Sequence, residues 1–486
     1  MNEQIRNLEP KDIWENFANI CSIPHPSKHE EKIAEFMVQF GKNLGLETIV
    51  DEVGNVIIRK PATPGMENRM GVILQGHLDM VPQKNSDKQH VFETDPIETR
   101  IDGEWVKATG TTLGADNGIG VAAAMAVLQS TTMQHGPVEA LFTIDEETGM
   151  TGAFGLKGGI LNGDILMNLD SEDEGELYIG CAGGINAEAY FPYSEIPVPE
   201  GYQAVKVNIT GMKGGHSGMD INMGRGNANK ALFRFFYGAL KQHNLHLCEV
   251  SGGSLRNAIP REAFATVALP SGEVNIFMSE VAEYEKVLKA ELYATEPELS
   301  ISAEVVAYSG MAIDKKVFEN LTCAVMICPN GVSRMSSEMP EVPETSNNLA
   351  IVKSGEGKIE IMCLLRSSVD TAKMALADAV SATMQLAGGM VELSGEYPGW
   401  KPNIESPVLK AMQNVYNNKY GKIPEIKVIH AGLECGILGK AYPNWDMISF
   451  GPTIRFPHSP DEKVNIASVG KFWDYLAETL KNVPAK

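Results

Sequence analysis

Histidine and carboxylate side chains occur along the chain at positions that suit metal binding. They are His77, Asp116, a glutamate of the run Asp145-Glu146-Glu147, Asp170 and His458. Together they offer imidazole nitrogens and carboxylate oxygens but no thiolate, which is typical of catalytic rather than structural zinc sites. Two divalent ions about 3.5–4 Å apart can share one carboxylate, because each of its oxygens can bind one ion. The set predicts a two-metal site that activates water for hydrolysis.

Taken singly, each of these positions also has an ordinary structural explanation. His77 could form a simple hydrogen bond with a nearby carboxylate, and Asp116 could cap the apolar helix that follows it. The acidic run and the surroundings of Asp170 could be solvated loops. The prolines that flank His458 stiffen the backbone, which suits either a metal ligand or a surface loop. The metal hypothesis therefore depends on the whole set.

Two spacings add supporting groups to this set. Asp79 lies two residues after His77, so its carboxylate can bind the second ring nitrogen and fix the tautomer. The two glutamates of the run Asp145-Glu146-Glu147 allow one to bind a metal ion and the other to transfer a proton. Metal-assisted hydrolysis requires this division of labour.

Most of these residues come directly after short apolar runs of strand length. The runs cover residues 71–76, 140–144, 165–169, 427–429 and 447–450. Helical patterns over residues 27–44 and 117–128 alternate with some of them, which predicts an α/β fold with a sheet covered by helices. In open α/β sheets the ligand site lies beyond the carboxyl ends of the strands. We therefore expect the acids and histidines to collect at one edge of the sheet.

The middle of the chain has a different pattern, in which two β/α sets of similar make-up follow one another. The strand-like segments are residues 202–210, 263–269, 299–307, 348–353 and 358–367, and the helical ones are residues 227–242, 280–294 and 371–386. We expect an inserted α+β lid and dimerisation domain over residues 187–399. The catalytic domain, with a mixed β-sheet covered by helices, would then consist of residues 1–186 and 400–486.

The composition excludes several classes of function. Of the 486 residues, 62 are acidic and 41 basic, and the net charge of −21 repels phosphate backbones and anionic lipid surfaces. The longest apolar stretch, residues 118–128, is far shorter than the roughly 20 residues of a membrane span. Residues 1–11 do not resemble a signal peptide, and seven scattered cysteines favour reduced thiols. We expect a cytoplasmic protein that binds neither nucleic acid nor membranes.

The order of short motifs resembles the M20 family of metallopeptidases. The motifs are Gly76-His77-Leu78-Asp79, Gly114-Ala115-Asp116-Asn117-Gly118, Asp145-Glu146-Glu147-Thr148-Gly149, Asn168-Leu169-Asp170-Ser171-Glu172, Gly214-Gly215-His216-Ser217-Gly218 and Pro457-His458-Ser459-Pro460. The segments at residues 255–261 and 430–436 are most similar to the aminoacyl-histidine dipeptidases of that family. The resemblance implies a zinc-exopeptidase type of catalytic domain and hydrolysis of dipeptides, including Xaa-His dipeptides such as carnosine.

The resemblance also implies a role for each residue of the metal site. One ion would be held by His77, Asp116 and Asp170, and the other by Asp116, Glu147 and His458. Glu146 would be the general base, and Asp79 would orient His77. Two divalent ions per subunit are implied, with zinc as the first choice, although mixed carboxylate and imidazole ligands also accept cobalt or manganese.

Three further residues are implied by the resemblance to contact the substrate, a small dipeptide. His216 would polarise the scissile carbonyl, while Asn257 and Arg366 would bind the C-terminal carboxylate. Since a dipeptidase must bind both ends of its substrate, we expect Glu434 to face the free amine. We also expect a homodimer.

Other classes of function predict different behaviour. A serine or cysteine hydrolase would need an activated nucleophile, but Ser217 lacks the Gly-x-Ser-x-Gly elbow and Cys435 lies near His430 only in sequence. An N-acyl-amino-acid deacylase could use the same metal site without requiring a free amine. A non-catalytic metal-dependent binding protein would not need a spare glutamate beside the metal ligand.

Overall fold

The computed structural model describes residues 2–308 and 310–486 and divides into two compact units. The first unit consists of Met1–Gly180, Trp400–Val428 and Leu433–Lys486, and the second of Cys181–Gly399 and Ile429–Gly432. The first boundary falls six residues before the expected one, because residues 183–186 already pair with strands of the second unit. That catalytic and lid roles divide between the units stays a prediction.

The first unit is built on a mixed eight-stranded sheet. Across the sheet the strands follow the order Glu47–Val50, Val56–Lys60, Val138–Thr143, Val72–His77, Ile165–Asn168, Asp446–Ser449, Glu176–Cys181 and Glu425–Ile429. The four central strands, from Val138–Thr143 to Asp446–Ser449, run parallel to one another. Parallel strands bring their carboxyl ends to one edge. His77, Thr143 and Asn168 therefore end their strands on the same side of the unit.

Helices and a smaller sheet complete the first unit. The helices are Lys11–Cys21, Glu31–Asn43, Ala115–Gln129, Thr151–Gly155, Pro407–Tyr420, Glu434–Ala441 and Ile466–Asn482, with a short 3-10 helix at Ile5–Asn7. The small sheet orders its strands as Ile454–Arg455, Lys463–Asn465, Trp105–Ala108 and Thr99–Asp102. His458 lies in the loop that joins the first two of these strands.

The helix Ala115–Gln129 occupies the core of the first unit, and its residues from Gly118 to Leu128 are all buried. A helix that is apolar on every side must be surrounded by protein. Small residues allow this close packing: a Cβ atom on Gly120 would lie 2.3 Å from the carbonyl oxygen of Leu169. The helix begins beside Asp116, so its packing fixes where that carboxylate lies. Among the described residues, no helix has both the length and the apolar character needed to cross a membrane.

The second unit contains a nine-stranded antiparallel sheet. Its strands follow the order Ser300–Val306, Tyr202–Thr210, Ala263–Pro270, His246–Gly252, Pro343–Gly355, Lys358–Ser367, Gly183–Pro192 and Met390–Tyr397, and Gly331–Met335 also pairs with Pro343–Gly355. The helices are Ala228–Ala239, Val274–Glu291, Lys315–Ile327 and Asp370–Leu386. Two-stranded pairs join Glu195–Pro197 to Met311–Ile313 and Gly215–His216 to Ala258–Ile259. Phenylalanines 233, 236, 277 and 318 are fully buried in the core.

The α/β class predicted from the sequence is confirmed, and the two expected β/α sets form one continuous sheet. The two halves join where Ser251 and Gly252 pair with Lys353 and Val352. Local sequence patterns predict each half of the sheet separately. They do not predict the join, because it pairs residues about a hundred positions apart. The strand Gly183–Pro192 was not predicted, although it lies between two long neighbours in the sheet.

Candidate metal centre and active site

The first unit brings the five metal-type residues together at the carboxyl edge of its sheet. His77 is the last residue of its strand, Asp170 follows the strand Ile165–Asn168, and Glu147 follows Val138–Thr143. Ligand atoms of His77, Asp116 and Asp170 all lie within 4.8 Å of one another, and so do those of Asp116, Glu147 and His458. The expected edge of the sheet is where these residues meet.

Asp116 lies between the two histidines. Its Oδ1 is 3.1 Å from His77 Nε2, and its Oδ2 is 3.4 Å from His458 Nε2. A carboxylate that capped the following helix would instead accept backbone N–H groups. Because each oxygen faces a different imidazole, this carboxylate is placed to serve two neighbouring cations at once.

The remaining carboxylates complete the two groups. Asp170 Oδ1 lies 3.4 Å from His77 Nε2, and Glu147 Oε2 lies 3.0 Å from His458 Nε2. Asp170 Oδ1 and Glu147 Oε1 are buried and lack a hydrogen-bond partner among the described residues. Buried carboxylate oxygens without a partner are costly unless a cation compensates them. Both groups therefore fit divalent metal ions.

The ring orientation of His77 follows from its neighbours. Its Nδ1 lies 2.9 Å from the backbone carbonyl oxygen of Asp79 and 3.4 Å from the carboxylate of the same residue. Since both groups are acceptors, the proton belongs on Nδ1 and Nε2 is left for a metal ion. The closer acceptor is the backbone carbonyl, whereas the sequence analysis expected the carboxylate.

The carboxylate of Asp79 has a second set of partners. It accepts hydrogen bonds from the backbone N–H of Glu146 at 2.9 Å and of Glu147 at 3.2 Å, and from the hydroxyl of Ser27 at 2.8 Å. Although burial opposes the charge, the hydrogen bond to His77 and these donors lower the pKa of Asp79 to about 2. Asp79 thus links the His77 strand to the loop that carries both glutamates.

The three adjacent acids do not form a solvated loop. Asp145 is buried and its carboxylate accepts hydrogen bonds from Lys28, Thr148 and Thr151. Glu146 and Glu147 turn the other way, and ligand atoms of both lie within 4.8 Å of a His77 ring nitrogen. Lys28 compensates the charge of Asp145, whereas Asp170 and Glu147 still repel the charged form of Glu146.

The electrostatics of the centre favour positive charge. Hydrogen bonds to Asp116 and Glu147 raise the pKa of His458 to about 11. Burial, reinforced by the charge of Asp116, raises the pKa of Asp170 well above its usual range. Burial likewise raises the pKa of Glu146, with a partial offset from His77. Protons are drawn to the centre, as divalent cations would be.

Glu434 lies at the end of a buried chain of polar side chains in the same unit. Its Oε2 accepts hydrogen bonds from Gln75 Nε2 at 2.6 Å and from the hydroxyl of Thr143 at 2.9 Å. Gln75 Oε1 in turn accepts from Asn168, whose Oδ1 accepts from Ser449. Burial raises the pKa of Glu434 to about 7. Its Oε1 is buried without a partner among the described residues, so it can still bind a donor.

His216 lies in the second unit, on a short strand whose backbone is held by Asp220. Its own N–H donates to Asp220 at 2.8 Å, and its ring Nδ1 accepts from the N–H of Met219 at 3.0 Å and of Gly218 at 3.3 Å. A nitrogen that accepts two N–H groups carries no proton, so the proton of the neutral ring is on Nε2. Burial, and then Arg366, lower the pKa of His216. The ring is therefore a neutral donor through Nε2.

Arg366 and Asn257 lie beside His216 in the second unit. The guanidinium of Arg366 is buried, donates to the hydroxyl of Tyr397 at 3.0 Å, and lies 3.4 Å from the hydroxyl of Ser217. Asn257 is exposed, and its carbonyl accepts the N–H of Ser217 at 2.9 Å. With the residues that the structure describes, Arg366 forms no surface ion pair of the kind that its sequence context also allowed. It keeps N–H groups for an anion, because a guanidinium has five.

Tyr397 and Glu462 were not predicted from the sequence. Tyr397 orients Arg366 from a strand that has no apolar pattern, so its sequence context carries no signal. Glu462 is buried and accepts hydrogen bonds from four successive backbone N–H groups, those of residues 113–116. In the sequence it is one more acid in a polar loop, and its partners lie more than 340 positions away.

The fold and the metal centre define a class of protein, the metallopeptidases with carboxylate and imidazole ligands. A model of peptidase family M20/M25/M40 matches residues 73–482, so the chain belongs to this family and is a peptide hydrolase. It is similar to the cytosol non-specific dipeptidase of Escherichia coli K12, with 50% identity over 483 residues that cover 99% of this chain and 100% of that protein.

Solved structures show the same relationship. The crystal structure of the aminoacylhistidine dipeptidase from Vibrio alginolyticus is similar with a TM-score of 0.96 and 50% identity, covering 99% of this chain and 98% of that one. The aminopeptidase PepT from Bacillus cereus is similar with a TM-score of 0.57 and 15% identity, covering 98% and 99% of the two chains, which shows the fold alone.

Metal ions should stabilise the folded protein through Asp116. We expect zinc to raise the melting temperature of chelated protein, because a ligand at a hundred times its Kd adds about 2.7 kcal/mol per site. The substitution Asp116→Ala should remove most of this increase, since Asp116 belongs to both groups. Differential scanning calorimetry measures the effect, with Asp461→Asn as a control of equal charge change. An undiminished zinc effect in Asp116→Ala protein would contradict the bridging position.

Proposed function

We propose that this peptidase is a two-metal dipeptidase that hydrolyses the peptide bond of dipeptides, including Xaa-His dipeptides of the carnosine type. The observation that carries the proposal is the carboxylate of Asp116, whose two oxygens face His77 and His458 while Glu146 lies beside His77. The names of the Escherichia coli and Vibrio alginolyticus relatives support a dipeptide substrate. The first unit is then the catalytic domain, and the second is the lid and dimerisation domain.

Two ions fit the ligand groups of the first unit. One would be held by His77, Asp116 and Asp170, and the other by Asp116, Glu147 and His458. When bound, such ions polarise the carbonyl and lower the pKa of water. The mixed oxygen and nitrogen ligands suit zinc and also accept cobalt or manganese.

Glu146 is the proposed general base. Its backbone is fixed by the hydrogen bond to Asp79, and burial raises the pKa of its carboxyl toward the range in which it can accept a proton and return it. Glu146 removes a proton from the attacking water and then donates it to the leaving amine. No second base is needed, because the same carboxylate serves both steps.

His216 is the proposed donor to the carbonyl oxygen of the scissile bond. Two backbone N–H groups hold its Nδ1 as an acceptor, so its Nε2–H can donate while the ring stays neutral. Negative charge develops on the carbonyl oxygen during attack, and one such donor is typically worth about 3–4 kcal/mol of barrier. Burial, and then the charge of Arg366, lower the pKa of His216 and so favour the neutral ring.

The two ends of a dipeptide carry opposite charges, and the chain offers a group for each. Arg366, held by Tyr397, has a planar guanidinium suited to the C-terminal carboxylate, and Asn257 presents an exposed amide. The unpartnered Oε1 of Glu434 suits the free ammonium group. A deacylase of N-acyl amino acids would have no use for such an acceptor, so we favour the dipeptidase.

We further infer that the enzyme is a homodimer that works in the cytoplasm. The cytosolic name of the Escherichia coli relative supports the location, and the homodimer is the expectation from the sequence. Native gel filtration of a cytoplasmic extract, with detection of the untagged protein, tests both parts. The expected size is twice 52.7 kDa. Elution as a monomer would contradict the dimer, and recovery only in the membrane or exported fraction would contradict the location.

The substitution Glu146→Gln should abolish turnover without releasing metal. General acid–base catalysis contributes about 100- to 10,000-fold, so kcat should fall by at least the lower factor while two ions remain bound. Steady-state kinetics and metal analysis of the purified variant measure the two effects. Glu147→Gln is the matched comparison, because it replaces the neighbouring residue, which is a metal ligand. This variant should lose one ion. Unchanged kcat in Glu146→Gln protein would rule out its role as the base.

The choice of substrate makes a separate prediction. Chelated protein restored with zinc or cobalt should cleave β-alanyl-histidine and ordinary dipeptides, because both charged ends have partners. It should not cleave N-acetylated dipeptides, which lack the ammonium group, or longer peptides. Chromatographic detection of the released amino acids measures each reaction. Cleavage of N-acetyl amino acids but not of dipeptides would instead establish a deacylase, and binding without cleavage would establish a non-catalytic protein.

A further inference from the structure

The segment that carries Asp116 is held by a carboxylate from a distant part of the chain. Glu462 Oε2 accepts the N–H groups of Leu113 at 2.7 Å and Gly114 at 2.9 Å, and its Oε1 accepts those of Ala115 at 2.8 Å and Asp116 at 3.2 Å. Four hydrogen bonds saturate one carboxylate, which has about four acceptor positions. This one segment therefore uses all the acceptor positions of the carboxylate.

The conformation of the segment makes this contact possible. Gly114 has a φ of +72°, a left-handed conformation that glycine adopts without strain. A Cβ atom at this position would also lie 3.1 Å from the sulfur of Met80. Successive N–H groups that converge in this way form a concave site for an anion. Glu462 is the anion that fills it.

Glu462 also belongs to the loop that carries His458. Its own N–H donates to the carbonyl of Ser459 at 2.9 Å, and the N–H of Asp461 donates to the hydroxyl of Ser459 at 3.1 Å. The residues from His458 to Glu462 are thus folded into one turn. The carboxylate of Glu462 joins this turn to the Asp116 segment.

The contact leaves the carboxylate of Asp116 available. An aspartate before a helix usually accepts the free N–H groups of the first turn. Here Glu462 accepts the backbone N–H of Asp116, and both oxygens of the Asp116 side chain face histidines. Glu462 therefore holds this residue through its backbone and leaves its carboxylate to the metal-type residues.

We propose that Glu462 is a positioning residue that sets the distance between Asp116 and His458 and so fixes the geometry of the metal centre. This inference rests on the proposed two-metal function. Partners of metal ligands typically change metal affinity about 10- to 100-fold when they are replaced. Glu462 should have an effect of this size, although it binds neither metal nor substrate.

The test uses Co²⁺ as the probe and the full-length chelated protein. Glu462→Gln replaces one acceptor oxygen by an N–H₂ group, which would face two backbone donors. We expect its Co²⁺ affinity to fall about 10- to 100-fold in calorimetric titration. The visible absorption band of the fully loaded protein should change shape, because Asp116 moves. For β-alanyl-histidine, kcat should fall while KM changes little.

Two other variants distinguish a change in the position of Asp116 from a loss of charge or a loss of folding. Asp461→Asn removes an exposed charge from the same loop and should match the wild type in affinity and spectrum. Glu462→Asp keeps the charge but is one methylene too short to reach all four N–H groups, so it should resemble Glu462→Gln. If Glu462→Gln protein does not fold, the Co²⁺ affinity and spectrum of Glu462→Asp protein test the proposal instead.

Several outcomes would overturn the inference. Wild-type affinity and spectrum in Glu462→Gln protein would do so, even with a lower melting temperature, because the residue would then act on stability alone. Glu462→Asp protein that behaves as wild type would show that only charge matters. Wild-type protein that fails to bind two Co²⁺ ions would overturn the proposed function, and this inference with it.

Discussion

The burial of several carboxylates at one edge of a sheet is the constraint on which the rest of the structure depends. Asp116, Glu146, Glu147 and Asp170 lie close together, and burial with mutual repulsion raises the pKa of Asp170 and Glu146. Such a group is unstable unless positive charge compensates it. Two histidines supply part of that charge, and two divalent ions fit what remains. The arrangement is costly as a structural feature and well suited to hydrolysis.

Much of the first unit serves to hold these carboxylates in place. Parallel strands deliver His77, Glu147 and Asp170 to one edge, and backbone N–H groups then fix the loops. Asp79 accepts the N–H groups of the glutamate loop, and Glu462 accepts those of the Asp116 segment. Both anions bind backbone N–H groups, and Asp79 also faces Nδ1 of His77, which leaves Nε2 of that ring for a metal ion. The same device recurs in the second unit, where Asp220 accepts the backbone N–H of His216.

The sequence predicted the strands that end at functional residues better than it predicted the contacts between those strands. The strand over residues 72–77 is predicted by its apolar run, and the position of His77 at the end of that run indicates a functional residue. The metal set is found because a histidine and acids end or follow buried strands, while Asp116 begins an apolar helix and His458 lies in a loop. The role of Glu462 cannot be found this way, because it depends on backbone groups that any residue would supply. The join between the two halves of the large sheet depends on pairing between distant residues, which local patterns do not contain.

The central claim is that one carboxylate, Asp116, serves two ions. Anomalous X-ray diffraction from zinc-soaked crystals at the zinc absorption edge tests it directly. The account predicts two peaks about 3.5–4 Å apart, one beside His77 and Asp170 and one beside Glu147 and His458, with Asp116 bonded to both. A single peak, or a peak at the acids Glu30, Asp79 and Asp145, would contradict it.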